Sequence, residues 1–303
     1  MALTTIVLPC RNELYLNQTI DGIFAAASGE IEVIIYLDAC WNQPLPADRP
    51  NLTIVHSSAR RGMRAAINTA AEIGKGKYLL KCDAHCEFDY GFDEVLQQEI
   101  DDDWVVNPRR YSLDAETWTR KPERERPAVD YEWLSYPYDE NGQEVGLHAQ
   151  YRWKERDRAR AAYEVDENLT WQGSCWIMPM RYFRELIYPM SSEGYGNFIG
   201  EPQQIGLSVW LSGGKNMLNK RCSYSHLHKG NLYRQLHMER LGFPYTRIGQ
   251  KELVSGNKYS TDFWFNDRWE QRKHNLAWLI DKFAPVPGWD KWLEDQRNRG
   301  LVK

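Results

Sequence analysis

Apolar and polar positions alternate in blocks along the first 107 residues of this chain. Short apolar, largely β-branched runs at 4–8, 31–37, 52–56 and 78–82 predict four strands, and 104–106 a fifth. Between them, apolar residues recur at helical spacing over 16–27, 63–73 and 92–100. Strands interleaved with helices predict an α/β fold, with a mostly parallel sheet covered by helices on both faces. Ligands on such sheets bind beyond the carboxyl ends of the strands.

From about 111 to 168 the alternation gives way to charged, aromatic and Pro-containing sequence. Regularity returns in a strand-like run at 171–177, a helix over 181–186, and a helix opening at Gly200-Glu201. That helix ends at Leu211 before Gly213-Gly214, the usual place for glycine after a helix. The tail beyond Gly230 holds an amphipathic stretch near 278–283. We therefore expect a catalytic unit over 1–230, comprising a nucleotide-binding half (1–107), an insertion (108–170) and an acceptor and metal half (171–230). A helical extension over 231–303 follows.

The predicted strand ends carry the polar chemistry: Pro9-Cys10-Arg11-Asn12-Glu13, Asp38-Ala39-Cys40-Trp41, and Lys81-Cys82-Asp83-Ala84-His85-Cys86. Residues two apart at a strand end point the same way, so Asp83 and His85 can converge on one point. A carboxylate oxygen beside an imidazole suits a divalent ion such as Mn²⁺, which could hold a diphosphate. Arg60, Arg61 and Arg64 offer forked guanidinium groups to phosphate oxygens, Arg61 being preferred. A structural zinc held by Cys82, His85, Cys86, Cys222 and His226 is the competing metal reading, and the acidic ligand argues against it.

Composition narrows the partners only modestly. The formal charge of −4 gives no bulk argument for nucleic acid or membrane. No window approaches the roughly 20 apolar residues of a membrane span, and the start of the chain lacks a secretory signal pattern. Six scattered cysteines without CxxC pairs then read as reduced thiols, and a cytoplasmic protein is expected. The 13 Trp and 17 Tyr suit either a stacking surface or a packed core.

In order and spacing these motifs resemble GT-A nucleotide-sugar glycosyltransferases. Family 2 supplies the likeness over 4–107, where Pro9 to Glu13, Asp38, the Gly62-Met63-Arg64-Ala65-Ala66-Ile67-Asn68 helix and Asp83-Ala84-His85 match its pattern. Over 171–229 the likeness is to polypeptide N-acetylgalactosaminyltransferases. Gln172-Gly173-Ser174, Tyr182-Phe183-Arg184-Glu185-Leu186, Gly200-Glu201-Pro202, Trp210 to Gly214 and His226 follow in that family's order. The resemblance implies metal ligation by Asp83, His85 and His226, with His228 the alternative third ligand. It implies nucleotide contacts from Pro9, Arg11, Glu13, Asp38, Arg61 and Lys229, and a catalytic or sugar-gripping Glu201. Trp171 and Trp176 are expected to line that pocket or to pack the core. Mn²⁺ or Mg²⁺ and a nucleotide sugar, UDP favoured, are the implied cofactor and donor.

One departure stands out: Glu201-Pro202 occupies the place where inverting family 2 enzymes carry their Asp base. Neither a lectin-like repeat nor an anchor is seen, which points away from a Golgi-type mucin initiator. The expected acceptor is a hydroxyl group of a hydroxymethylated base in DNA, of the kind some bacteriophage glycosyltransferases modify, or else of a glycan or a protein. For DNA, the basic Trp-rich tail (Trp264, Arg268, Trp269, Arg272, Lys273, Trp278) and Arg152, Lys154, Arg156 and Arg158 offer contacts. A helix docked on the core is the alternative reading of that tail. A nucleotidyltransferase and a non-catalytic sugar-nucleotide-binding protein remain rival functions.

Overall fold

The computed structural model describes residues 2–41, 44–150, 152–196, 199–228 and 250–302. In the first half, β1 (Thr4–Cys10), α1 (Leu16–Ala26), β2 (Ile31–Asp38), β3 (Leu52–Ser57), α2 (Met63–Ile73) and β4 (Tyr78–Cys82) follow the predicted alternation closely. After β4 come β5 (Cys86–Phe88), α3 (Phe92–Gln97) and β6 (Trp104–Ser112). The insertion holds a small hairpin of β7 (Trp133–Leu134) and β8 (Ala149–Gln150), then α4 (Lys154–Ala159) and β9 (Val165–Glu167). The second half supplies β10 (Cys175–Pro179), α5 (Met180–Leu186), α6 (Glu201–Leu211) and β11 (Lys215–His226). The tail contributes α7 (Gln250–Phe265), α8 (Leu276–Lys282) and α9 (Asp290–Asn298).

The main sheet runs β3-β2-β1-β4-β10-β6-β11-β5, with β9 added on β11. Its first four strands are parallel, as expected. Beyond them the sheet is mixed: β10 is antiparallel to both β4 and β6, whereas β6 and β11 are parallel. β6 also runs further than its apolar run suggested, through Pro108 to Ser112. Pro108 cannot donate to a ladder. β11 accommodates it by shifting register between Asn219 and Ser223, the partners of Pro108 and Arg109.

Side-chain alternation divides the strands between two cores. Ile6, Leu8, Leu80 and Cys82 face α1 and α3, while Val7, Ile34, Leu79 and Trp176 face α2, α5 and α6. A third cluster joins distant segments. Tyr131, Leu134, Leu147 and Trp153 of the insertion pack with Trp210 of α6 and with Leu279, Ile280, Trp289 and Leu293 of the tail. Trp264 is buried in this cluster, and Trp269 packs against it and donates to Ser212 Oγ at 2.8 Å. The tail's indoles are therefore packing faces, and the docked-helix reading is the one found.

Trp289 is fully buried and donates its Nε1–H to the Leu134 carbonyl at 2.7 Å. Truncating a buried Trp typically costs about 3–5 kcal/mol. Trp289→Ala should lower the urea midpoint accordingly. A loss below about 1 kcal/mol would show that the tail and the insertion do not share a stabilising core.

Candidate active site

Two strand pairings assemble the site at the carboxyl edge of β4. Lys81 and Asp83 project to the same side of the strand, away from the thiol of Cys82. Antiparallel pairing of Cys82 with Cys175 lays the segment 171–174 against this edge, and Asp83 N–H donates to the Ser174 carbonyl at 2.9 Å. The chain then turns into β5, which pairs antiparallel with β11 and sets His226 opposite Cys86. A further bond from Leu227 N–H to the His85 carbonyl (3.2 Å) closes the corner.

His85 Nε2 lies 3.1 Å from His226 Nε2, and His226 Nε2 lies 3.2 Å from Asp83 Oδ2. Asp83 Oδ2 is 3.7 Å from His85 Nε2. Among the described residues, these three side chains form the group of potential metal ligands gathered within 4.8 Å. Two ring nitrogens and a carboxylate oxygen facing one another leave lone pairs that a single proton cannot all satisfy. A divalent cation would satisfy them. The mixed nitrogen and oxygen set suits Mn²⁺ better than Mg²⁺, which favours octahedral oxygen shells.

The neighbours fix this arrangement. Glu13 Oε2 is 3.0 Å from His85 Nδ1, so Nδ1–H can donate to the carboxylate and turn the Nε2 lone pair toward the centre. Lys81 Nζ donates to Asp83 Oδ1 at 2.6 Å and to the Gly173 carbonyl at 2.5 Å. Burial opposes ionisation of Asp83, but Lys81 and the His226 hydrogen bond outweigh it and hold the carboxyl well below its ordinary range. Burial pushes His226 down to about 4, against the pull of Asp83, which leaves a neutral imidazole at physiological pH.

Beside this trio a cavity of about 190 Å³ is lined by Met63, Lys81, Asp83, Gly173, Glu201 and the insertion residue His148, among others. Glu201 opens α6 and is fully buried. Its Oε1 accepts from Trp176 Nε1 at 2.5 Å, and its Oε2 has no hydrogen-bond partner among the described residues. Burial pushes this carboxyl up, with Lys81, Trp176 and Arg64 pulling it back. A Cβ at Gly173 would collide with Glu201 Oε2, so a larger residue there would displace that carboxylate.

The other expected residues spread along the same edge. Asp38 is buried at the end of β2 and accepts from the backbone N–H of Arg61 (2.6 Å) and Gly62 (3.1 Å). Arg11 and Arg61 are exposed, and Pro9 is half-buried at the end of β1. Arg64, by contrast, is fully buried, bonded to Gln204 and the Ile199 carbonyl, and held down to about 10 by burial. Trp171 and Trp176 are both part of the core, Trp176 also donating to Glu201. His228 stands edge-on to His226, outside the ligand trio. Lys229 lies outside the described residues. The zinc alternative fails: Cys82, Cys86 and Cys222 are in the apolar core, where burial pushes their thiols up.

Three site residues had been given no role from the sequence. Lys81 was visible as a charge ending a buried strand. Arg110, bonded to Gln172 (2.6 Å) and Glu132 (2.7 Å), lies on the part of β6 concealed by Pro108. His148 comes from the irregular insertion and carried no periodic signal.

Residues 5–187 match the Glycosyl transferase family 2 domain. Over 218 residues the chain is 25% identical to a Caenorhabditis briggsae protein named for polypeptide N-acetylgalactosaminyltransferase 10. The match covers 71% of this chain and 31% of that relative's length. The structure resembles GalNAc-T7 with UDP, GalNAc and Mn²⁺ (TM-score 0.63, 15% identity, covering 100% of this chain and 56% of that one). It also resembles the mannosyltransferase PcManGT from Pyrobaculum calidifontis in complex with GDP-Man and Mn²⁺ (TM-score 0.50, 12% identity, covering 100% and 81%). At such identities the structural likeness establishes the fold, which is GT-A.

Carboxylates that orient metal-binding histidines typically account for about 10–100-fold in metal affinity. Glu13→Gln is therefore expected to weaken Mn²⁺ binding by that factor in a Mn²⁺ titration followed by electron paramagnetic resonance. Unchanged affinity would show that His85 is oriented without it.

Proposed function

The chain belongs to glycosyl transferase family 2, and from that premise we propose that it moves a sugar from a nucleoside diphosphate, UDP favoured, to a hydroxyl acceptor. The observation that carries this reading is the adjacency of two unlike half-sites. The Asp83, His85 and His226 trio borders a small cavity that is also lined by a buried carboxylate with one oxygen unpaired among the described residues. Those three residues would hold Mn²⁺ or Mg²⁺. Such an ion, when bound, offsets charge on a departing diphosphate. GalNAc-T7 with UDP and Mn²⁺ supports the choice of carrier and ion.

The chain's own residues account for the rest of the chemistry. Glu13 orients His85, and Lys81 keeps Asp83 ionised with its Oδ2 toward the histidines. Asp38 and the Pro9–Glu13 segment, at the ends of β2 and β1, form the nucleotide end of the edge. Each Asp38 oxygen keeps a lone pair for a ribose hydroxyl beside its backbone partner. Arg11 and Arg61 are exposed there to meet phosphate or base. Glu201, which lines the cavity with Oε2 unpaired among the described residues, is the group assigned to a hydroxyl of the donor sugar or the acceptor.

Among acceptors, DNA with hydroxylated bases loses one source of support, because Trp264 and Trp269 are packed. Arg156 likewise faces inward, over Tyr131 and Phe283. Exposed Lys154 and Arg158 on α4, and exposed Arg268, Arg272 and Lys273 of the tail, are contacts that remain for a phosphate backbone. A glycan needs no such surface and stands as the alternative. No helix among the described residues is long and apolar enough to cross a membrane.

The test is a screen of UDP- and GDP-sugars with Mn²⁺, using plain DNA, hydroxymethylated DNA and oligosaccharides as acceptors. Nucleoside diphosphate should be released from one donor. Release of pyrophosphate instead would point to a nucleotidyltransferase. With the active donor, Asp83→Ala should lose at least about 100-fold in rate, since a divalent ion supplies several kcal/mol of charge stabilisation. Glu201→Gln, which replaces a charged acceptor by a neutral one of the same shape, should lose about 10–100-fold. Wild-type turnover in both variants would remove these residues from the reaction.

A further inference from the structure

Lys81 has an environment that stability alone does not explain. It lies in the floor of the sheet at 1% exposure, on a strand whose neighbours Leu79 and Leu80 are fully buried and apolar. Burying an ion pair is rarely better for folding than burying well-packed apolar residues. The position therefore calls for a reason found in the cavity that Lys81 borders.

An ammonium has three donors. Two are taken by Asp83 Oδ1 and the Gly173 carbonyl. The third has no partner recorded among the described residues, and Lys81 lines the cavity together with Glu201. Glu201 is itself completely buried, with Oε2 unpaired among the described residues. One cavity thus presents a group that can only donate and a group that, when ionised, can only accept. A sugar hydroxyl both donates and accepts, so a pair of hydroxyls on one ring satisfies both walls.

Size and lining agree. At about 190 Å³ the space is below the roughly 300–1,000 Å³ of drug-sized pockets, which suits one ring. Met63, Ala149 and Pro202 give that ring apolar contact. We propose that Lys81 is a specificity-determining residue that donates to a hydroxyl of the transferred sugar in the cavity it shares with Glu201. The sugar selected would be a hexopyranose with two neighbouring hydroxyls free, as opposed to one deoxygenated or acylated there. This inference rests on the donor reading above.

The experiment separates the nucleotide from the sugar. Isothermal titration in Mn²⁺ would compare UDP, GDP and a panel of their hexose conjugates on the wild type and on Lys81→Met. The variant should weaken the free nucleoside diphosphate to some extent, because Lys81 also holds Asp83. The preferred sugar conjugate should lose about 10–100-fold beyond that, the usual worth of a hydrogen bond to a charged group. Equal weakening of both ligands would mean that Lys81 acts only through Asp83, and no weakening of either would mean that it does not act on the donor. Both results overturn the proposal.

A second arm needs no variant. On the wild type, deoxygenation at one ring position should cost a similar factor. If every deoxy donor binds like its parent, the proposal falls even should the variant not fold. A wild type that binds no nucleotide or conjugate would sink the donor reading itself.

Discussion

The contact on which the site depends is the buried pairing of Lys81 with Asp83 and the Gly173 carbonyl. It ties together β4, the end of that strand, and the segment leading into β10. Removing one partner of a buried pair typically costs about 3–5 kcal/mol, because the other charge stays behind uncompensated. The fold therefore holds these three elements in register wherever the pair is intact. It also leaves Asp83 with one oxygen engaged inward and the other directed at two histidines.

Much of the fold was legible in the sequence because local pattern and tertiary role agree there. The strands and helices from Thr4 to Cys82 alternate with clear periods, and each is covered on the faces its pattern predicts. Legibility falls off where long-range pairing decides. β5 is too short to carry a period, and its existence depends on β11 lying beside it. Pro108 reads as the end of a strand, yet the register shift in β11 lets β6 continue past it. The aromatic tail offered two readings because an amphipathic face looks the same whether it meets a core or a ligand. Burial of Trp264 and Trp289 decides for the core.

The site was legible to a different degree. Asp83 and His85 could be paired from spacing alone, but His226 is 141 residues from His85 and came only from family order. Glu13 was expected near the nucleotide, and its carboxylate is found on His85 Nδ1, fixing that ring. Asp38 uses both oxygens on the turn before α2, a capping role compatible with further contacts. Lys81 escaped notice because a lysine ending an apolar run ordinarily reaches solvent. Burial on both sides of β4 prevents that here.

The hairpin of β7 and β8 brings His148 and Ala149 to the cavity, while Leu134 and Leu147 at its base are rooted in the cluster of Trp289 and Leu293. Wall and foundation are thus far apart along the chain but inseparable in space. Anyone wishing to graft a new specificity onto this scaffold by exchanging loops faces an indivisible cassette. The segment that lines the cavity can be transplanted only together with the terminal helices that anchor it, and shuffling either part alone leaves an apolar socket without its plug.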